Sequence, residues 1–268
     1  MTREKVRGAM HTNPGWILVA AFAVVIATVS PGIGLAAASI SHTNGPDVAS
    51  PVATISSVTS ANWAGYAALG SSGTVTRVTG TWTEPAITCT GKYSTTDVAT
   101  WVGIDGYSNG NLVQTGASAD CSGTTVSYYA WWEVLPASET TIGSFTVHAG
   151  DKITASVTYV ASTGRYTMKI TDGTQTFSHV RTLKTDPRSS AECIVERDFI
   201  GVLNHLSKFK TDKFSSCTAT ISGTSGAIGT FGTVSDIAMT NNAGTKIIAT
   251  TSTLTSNTAF TVTWKAYG

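Results

Sequence analysis

Ile153-Thr154-Ala155-Ser156-Val157-Thr158-Tyr159 and Tyr166-Thr167-Met168-Lys169-Ile170 decide the fold class. Both alternate apolar with polar residues, the period of a strand with one buried face. Val160-Ala161-Ser162-Thr163-Gly164-Arg165 joins them as a hairpin loop. Thr171-Asp172-Gly173-Thr174 follows as a second turn, where Asp-Gly favours a tight hairpin. From Val58 onward strand signal is nearly continuous, and Phe260-Thr261-Val262-Thr263-Trp264 supplies a last strand. Only Phe199 to Phe209 has spacing compatible with a helix, and it is short. Many short strands separated by turns predict an all-β protein, an antiparallel two-sheet β-sandwich of jelly-roll or concanavalin-like type.

The start of the sequence sets the address. Arg3, Lys5 and Arg7 precede an apolar run from Trp16 to Val29, and Ala36-Ala37-Ala38 offers small residues for cleavage. This is the layout of a secretory signal peptide over residues 1–38, too short in its apolar core for a membrane anchor. Residues 39–57, rich in Ser, Ala, Thr and Pro, read as a pro-segment or linker, and 58–268 as the sandwich domain. The expected location is extracellular, with no membrane contact after cleavage. Charged residues make up 12% of the 268 and the formal net charge is +1, which gives no basic footprint for nucleic acid. Export places Cys89, Cys121, Cys193 and Cys217 in an oxidising setting. Their spacing is wrong for a CxxC zinc site. Proximity in sequence favours Cys89 with Cys121 and Cys193 with Cys217, out of three possible pairings.

Chemistry is sought in groups out of pattern with their strands. Glu192-Cys193-Ile194-Val195-Glu196 places Glu192, Ile194 and Glu196 on one face. Two acids on one sheet face are costly to bury and seldom placed there for stability. Leu112-Val113-Gln114-Thr115-Gly116 sets an amide inside an apolar strand. Trp101 and Asp105 share one face of their strand, and Trp131 and Glu133 share one face of theirs. Together these offer a titratable carboxyl and a non-titrating amide donor. The chain has no HExxH zinc helix. Gly106-Tyr107-Ser108-Asn109-Gly110 matches GxSxG as a string, but strand signal follows it where a nucleophile elbow needs a helix, so it reads as a turn. The histidines are scattered. Read from the residues alone, three functions compete. One is a secreted acid endopeptidase. Another is a glycosidase using two of Glu133, Glu192 and Glu196. The third is a carbohydrate-binding module with tryptophan platforms.

The segments Asn62-Trp63-Ala64-Gly65-Tyr66, Trp101-Val102-Gly103-Ile104-Asp105-Gly106, Leu112-Val113-Gln114-Thr115-Gly116, Tyr129-Ala130-Trp131-Trp132-Glu133 and Ala191-Glu192-Cys193-Ile194-Val195-Glu196 occur in that order. In this set and order the chain resembles the glutamic peptidases, or eqolisins, and looks like a prokaryotic member. The resemblance implies that Gln114 and Glu196 are catalytic, that Trp63, Trp101 and Trp131 line a cleft, and that Asp105 and Glu133 support Gln114 or the water. It leaves Glu192 open between a supporting role and a solvent-facing one. It implies polypeptide substrates, a monomer, and no cofactor or metal. Two departures stand out: Cys193 replaces an aromatic residue, and Arg197 replaces an acid. The Arg197 charge is expected to act on Glu196 from the opposite face.

Overall fold

The computed structural model describes residues 53–268 except Lys184 and Ile200. The expected signal peptide, and the expected pro-segment up to residue 52, lie outside the described residues. In chain order the first strands are β1 (Thr54–Ser60), β2 (Trp63–Leu69), β3 (Val75–Thr83), β4 (Ile87–Thr88), β5 (Thr95–Ile104), β6 (Val113–Ser122) and β7 (Thr125–Val134). Next come β8 (Thr140–Thr141), β9 (Lys152–Val160), β10 (Arg165–Thr171), β11 (Thr176–Thr182) and β12 (Ser190–Glu196). The last are β13 (His205–Leu206), β14 (Lys208–Phe209), β15 (Thr211–Ile221), β16 (Thr224–Ala227), β17 (Thr233–Thr240), β18 (Ile247–Thr251) and β19 (Phe260–Trp264). Among the described residues the one helical piece is a 3₁₀ turn at Ile228–Thr230.

Two layers result. The first runs β8-β7-β6-β5-β12-β2-β17-β1. The second runs β11-β10-β9-β3-β15-β19-β18, and β18 continues onto β17 to join the layers along one edge. Pairing is antiparallel except for β1 on β17 and β13 on β5. Strand β3 packs over β5 and β12, and β9 over β5 and β6. The sandwich expected from the sequence is therefore present.

The hairpin that decided the fold class behaves as its alternation requires. Ile153, Ala155 and Val157 of β9 and Tyr166, Met168 and Ile170 of β10 are buried between the layers. Each large apolar side chain among them contributes about 1.5–3 kcal/mol by leaving water. Val102 and Ile104 of β5, Cys193 and Val195 of β12 and Trp82 of β3 complete this interior. The opposite face of the first layer carries a second cluster built on Trp63, Trp101, Trp131, Leu112 and Ile194. Disulfides join Cys89 to Cys121 and Cys193 to Cys217, the pairings that proximity favoured. The second ties β12 to β15, one strand from each layer.

Two expectations change. Strand β1 begins at Thr54, so residues 54–57, read as linker, belong to an edge strand whose residues are largely exposed. The Phe199 to Phe209 stretch forms no helix among its described residues. Phe199 bridges Leu203, and β13 and β14 pair with β5 and β4.

Candidate active site

The candidate residues share the tryptophan-bearing face of the first layer. Gln114 of β6 pairs with Gly103 of β5, and Gly103 with Glu192 of β12, so these three positions form one row. Glu133 of β7 extends the row beside Gln114. Glu196 lies four residues along β12 and pairs with Ala99 and Trp63. Positions 114 and 196 therefore lie on one face, two strands apart. On a flat sheet this is about 10 Å across and about 13 Å along the strands.

Trp101 occupies the space between them. Its Nε1 donates to Glu196 Oε2 at 2.8 Å. Its far edge lies over Gly103, where an added Cβ would stand 2.8 Å from Trp101 Cζ3. Gly116 permits the same posture: a Cβ there would approach Trp101 Cβ to 2.6 Å and the Thr100 carbonyl oxygen to 2.3 Å. The glycines of Trp-Val-Gly and Gln-Thr-Gly thus let the indole lie along the sheet from Gln114 to Glu196. Trp63 meets it edge to face at a centroid distance of 5.0 Å, a favoured aromatic geometry. Trp131 donates through Nε1 to Ser118 Oγ at 2.8 Å, which holds its ring on the same face.

Each polar group has a separate task. Gln114 Nε2 donates to Glu133 Oε2 at 2.6 Å. A carboxylate accepts only, so this bond fixes which end of the amide is nitrogen and leaves its second N–H available. Glu196 accepts at both oxygens, from Trp101 and from Asn62 Nδ2 at 2.8 Å. Asn62, Ser60 and Ser118 were not singled out from the sequence, although Asn62 opens one of the matching segments.

Asp105 departs from its expected role. Its carboxylate accepts the Arg188 and Ser189 backbone N–H groups at 2.7 and 2.8 Å, the Ser189 hydroxyl at 3.2 Å and the Asn109 amide at 3.1 Å. It secures the entry to β12 rather than Gln114. Its φ of 72° is left-handed, which Asp tolerates better than most side chains. Glu192 departs from the solvent-facing alternative, because it is fully buried. Burial, reinforced by the Asp105 charge and opposed by the Ser190 hydroxyl, holds its carboxyl well above the usual range. Neither oxygen makes a hydrogen bond of normal geometry.

Arg197 is also buried, and it is occupied by hydrogen bonds. Its guanidinium donates to the carbonyl oxygens of Ala61, Asn204 and Thr240 and to Asn242 Oδ1. It acts as a strut beneath the β1–β2 turn. Ser108 sits on an exposed bend between two strands, with no helix after it. No group of three or more His, Cys, Asp or Glu side chains among the described residues is placed to hold a metal ion.

Residues 61–264 match the model of the Peptidase A4 family. Three solved structures share the fold. Scytalido-glutamic peptidase with a transition state analog inhibitor aligns at a TM-score of 0.63 and 22% identity, over 76% of this chain and 98% of that one. SCP-B, a member of the eqolisin family in complex with the tripeptide Ala-Ile-His, aligns at 0.58 and 23%, over 76% and 98%. Aspergilloglutamic peptidase from Aspergillus niger aligns at 0.54 and 23%, over 63% and 99%. No curated protein matches. The family match sets aside the glycosidase and carbohydrate-binding alternatives. A sandwich with Gln114, Glu133, Glu192 and Glu196 on one tryptophan-floored face, matched over most of its length by one peptidase model, identifies the chain as a member of the Peptidase A4 family, the glutamic peptidases.

Proposed function

We propose that the chain is a secreted acid endopeptidase, acting as a monomer without metal or cofactor, in which Glu196 and Gln114 carry the hydrolysis. In this reading Glu196, ionised, accepts a proton from a water molecule as that water attacks the scissile carbonyl. The N–H of Gln114 that does not donate to Glu133 donates to the developing oxyanion. Glu196 then returns the proton to the leaving amine. In this reading the water and the scissile carbon lie between the two side chains, on the tryptophan face that they share. Glu133 orients Gln114, Trp63 and Trp131 flank the floor, and Glu192 lies in the Gln114 row. The observation that carries the reading is the shared face of Glu196 and Gln114, with a donor fixed on each Glu196 oxygen and an N–H left over on Gln114.

Two disulfides support an extracellular setting. The signal peptide over 1–38 and removal of residues before the domain belong to the same proposal. The test is casein digestion at acid pH by wild type, Glu196→Gln and Gln114→Ala. Glu196→Gln is expected to abolish cleavage. Gln114→Ala is expected to lose about 10²–10³ in kcat, the typical effect of removing one oxyanion donor. Near wild-type cleavage by Glu196→Gln refutes the assignment. Activity is expected to survive EDTA, fluorophosphonate and pepstatin; loss with EDTA would redirect the reading to a metalloenzyme, and loss with fluorophosphonate to Ser108.

A further inference from the structure

We infer that Asn62, set by Ser60, is a positioning residue that holds the Glu196 carboxylate in a fixed plane for proton transfer. The inference rests on Glu196 being the general base. Strand β12 lies between β2 and β5, and Glu196 receives one donor from each side. Asn62, the residue before β2, gives Nδ2 to Oε1, and Trp101 of β5 gives Nε1 to Oε2, both at 2.8 Å. Two donors on two oxygens from opposite sides stop rotation about the last torsion of the side chain, which is otherwise broad.

The amide could turn by half a rotation and present its oxygen instead. Ser60 prevents this. Its hydroxyl lies 3.1 Å from Asn62 Oδ1 and donates to it, so the nitrogen must face Glu196. The same hydroxyl oxygen accepts the backbone N–H groups of Asn62 and Trp63 at 3.3 and 3.2 Å. The turn is then fastened from below by the residue next to the base. Arg197 N–H donates to the Asn62 carbonyl at 3.0 Å, and Arg197 Nε to the Ala61 carbonyl at 2.8 Å. Glu196 and Arg197 thus grip one turn at its side chain and at its backbone.

The donors are an amide and an indole, which keep their protons at every working pH. A Lys in place of either would add a charge, and an acid would compete with Glu196 for the proton. Donors to the charged form favour that form, so the clamp extends the acid side of the activity range. It also limits maturation. Ser60 is the last residue of β1, one residue before the family-matched segment. A cut after Ser60 removes the group that orients Asn62, so the active chain must begin at or before Ser60.

The test is kcat/KM against pH on a peptide substrate for wild type, Asn62→Ala, Asn62→Asp, Ser60→Ala and Glu196→Gln. The ionisable groups along the elements around Glu196, namely Asp97 on β5, Asp120 on β6, Tyr129 and Glu133 on β7, Glu192 on β12 and Arg197 and Asp198 after it, are unchanged in the clamp variants. In Asn62→Ala the acid limb is expected to move up by about one pH unit. That is about a tenfold loss on the acid side of the limb, with a plateau within about threefold of wild type. Asn62→Asp is expected to move the limb in the same direction, and Ser60→Ala by less. An unmoved limb, with activity lowered equally at all pH values, overturns the clamp. If Asn62→Ala fails to fold, Ser60→Ala decides, since it leaves the amide in place but free to turn. An active Glu196→Gln would overturn the general-base reading itself; an inactive one with an unmoved limb in the clamp variants overturns the clamp alone.

Discussion

Replacing Asp212 by Asn should exchange stability at acid pH for stability at neutral pH. Asp212 is buried in β15, between the layers, and Thr100 of β5 donates its hydroxyl to the carboxyl across the gap. Burial pushes the carboxyl from an ordinary 3.8 up to about 7, against the opposing hydrogen bonds from Thr100 and the Lys213 backbone. Below pH 3.8 both folded and unfolded chains hold the proton, and the group contributes no pH dependence. Above it the unfolded chain releases the proton first, binds fewer protons than the native state, and is increasingly favoured until the native group ionises near pH 7. At 1.36 kcal/mol per unit the loss by pH 7 is about 4 kcal/mol, a large share of the 5–15 kcal/mol typical of a domain. Asn cannot ionise, so the variant lacks this slope. Its NH₂ replaces a buried oxygen that has no donor to give up and leaves a buried donor unpaired, at a constant cost of about 1–3 kcal/mol. The variant is thus expected to be less stable than wild type at pH 4 and more stable at pH 7, with the curves crossing between. Urea unfolding followed by tryptophan fluorescence, disulfides intact, at half-unit pH steps reads this directly, provided one transition is seen. A wild type to variant difference that stays constant from pH 4 to pH 7 refutes the reasoning.

The Cys193–Cys217 bridge closes a loop with a sequence separation of 24, so Cys193→Ser with Cys217→Ser should lower unfolding free energy by about 3 kcal/mol; urea midpoints unchanged from wild type would contradict this. Gly103→Ala would place a methyl 2.8 Å from both Trp101 Cζ3 and Leu112 Cδ1. The displaced indole is expected to lower kcat/KM at least about tenfold, at an overpacking cost of about 1–3 kcal/mol. Wild-type kinetics in that variant would show that the indole does not need its place over Gly103.

The parts of the fold legible in the sequence are those where one side of a strand is buried. β9 and β10 alternate because one face packs between the layers. β1 left no such mark: it is an edge strand with Ser and Thr on both faces, largely exposed, so nothing separated it from a linker. Phe199 to Phe209 carried helical spacing by coincidence of its apolar residues, and pairing with β4 and β5 overrode it. At the site, parity within β12 put Glu192 and Glu196 on one side, but parity cannot say what covers that side. All seven residues of β12 are buried, so Glu192 is enclosed where an exposed strand would have left it wet. Asn62 was invisible for a different reason. Its partner Glu196 is 134 residues away, and an Asn ahead of a strand reads as a turn residue. Asp105 looked like a strand acid, yet its backbone turns left-handed at the strand's end and redirects the carboxylate to the 188–189 backbone.

Acid normally unfolds proteins by protonating carboxylates that the native state holds ionised. Four carboxyls here are biased the other way. Burial leads the upward shift of Asp186, Glu192, Asp212 and Asp236, while the half-buried Asp172, held low mainly by the Gln175 backbone N–H, is shifted down. For each raised group the native state takes the proton more readily than the unfolded chain, so falling pH favours the fold. The groups assigned to the chemistry complement this. Gln114 donates from an amide, and Glu196 is met by an amide and an indole, none of which loses its hydrogen bond when protons are abundant. Only Glu133 and Glu196 must resist protonation. The acid end of the activity range should therefore be set by these two carboxylates, and the alkaline end by ionisation of the buried acids that support the sheet.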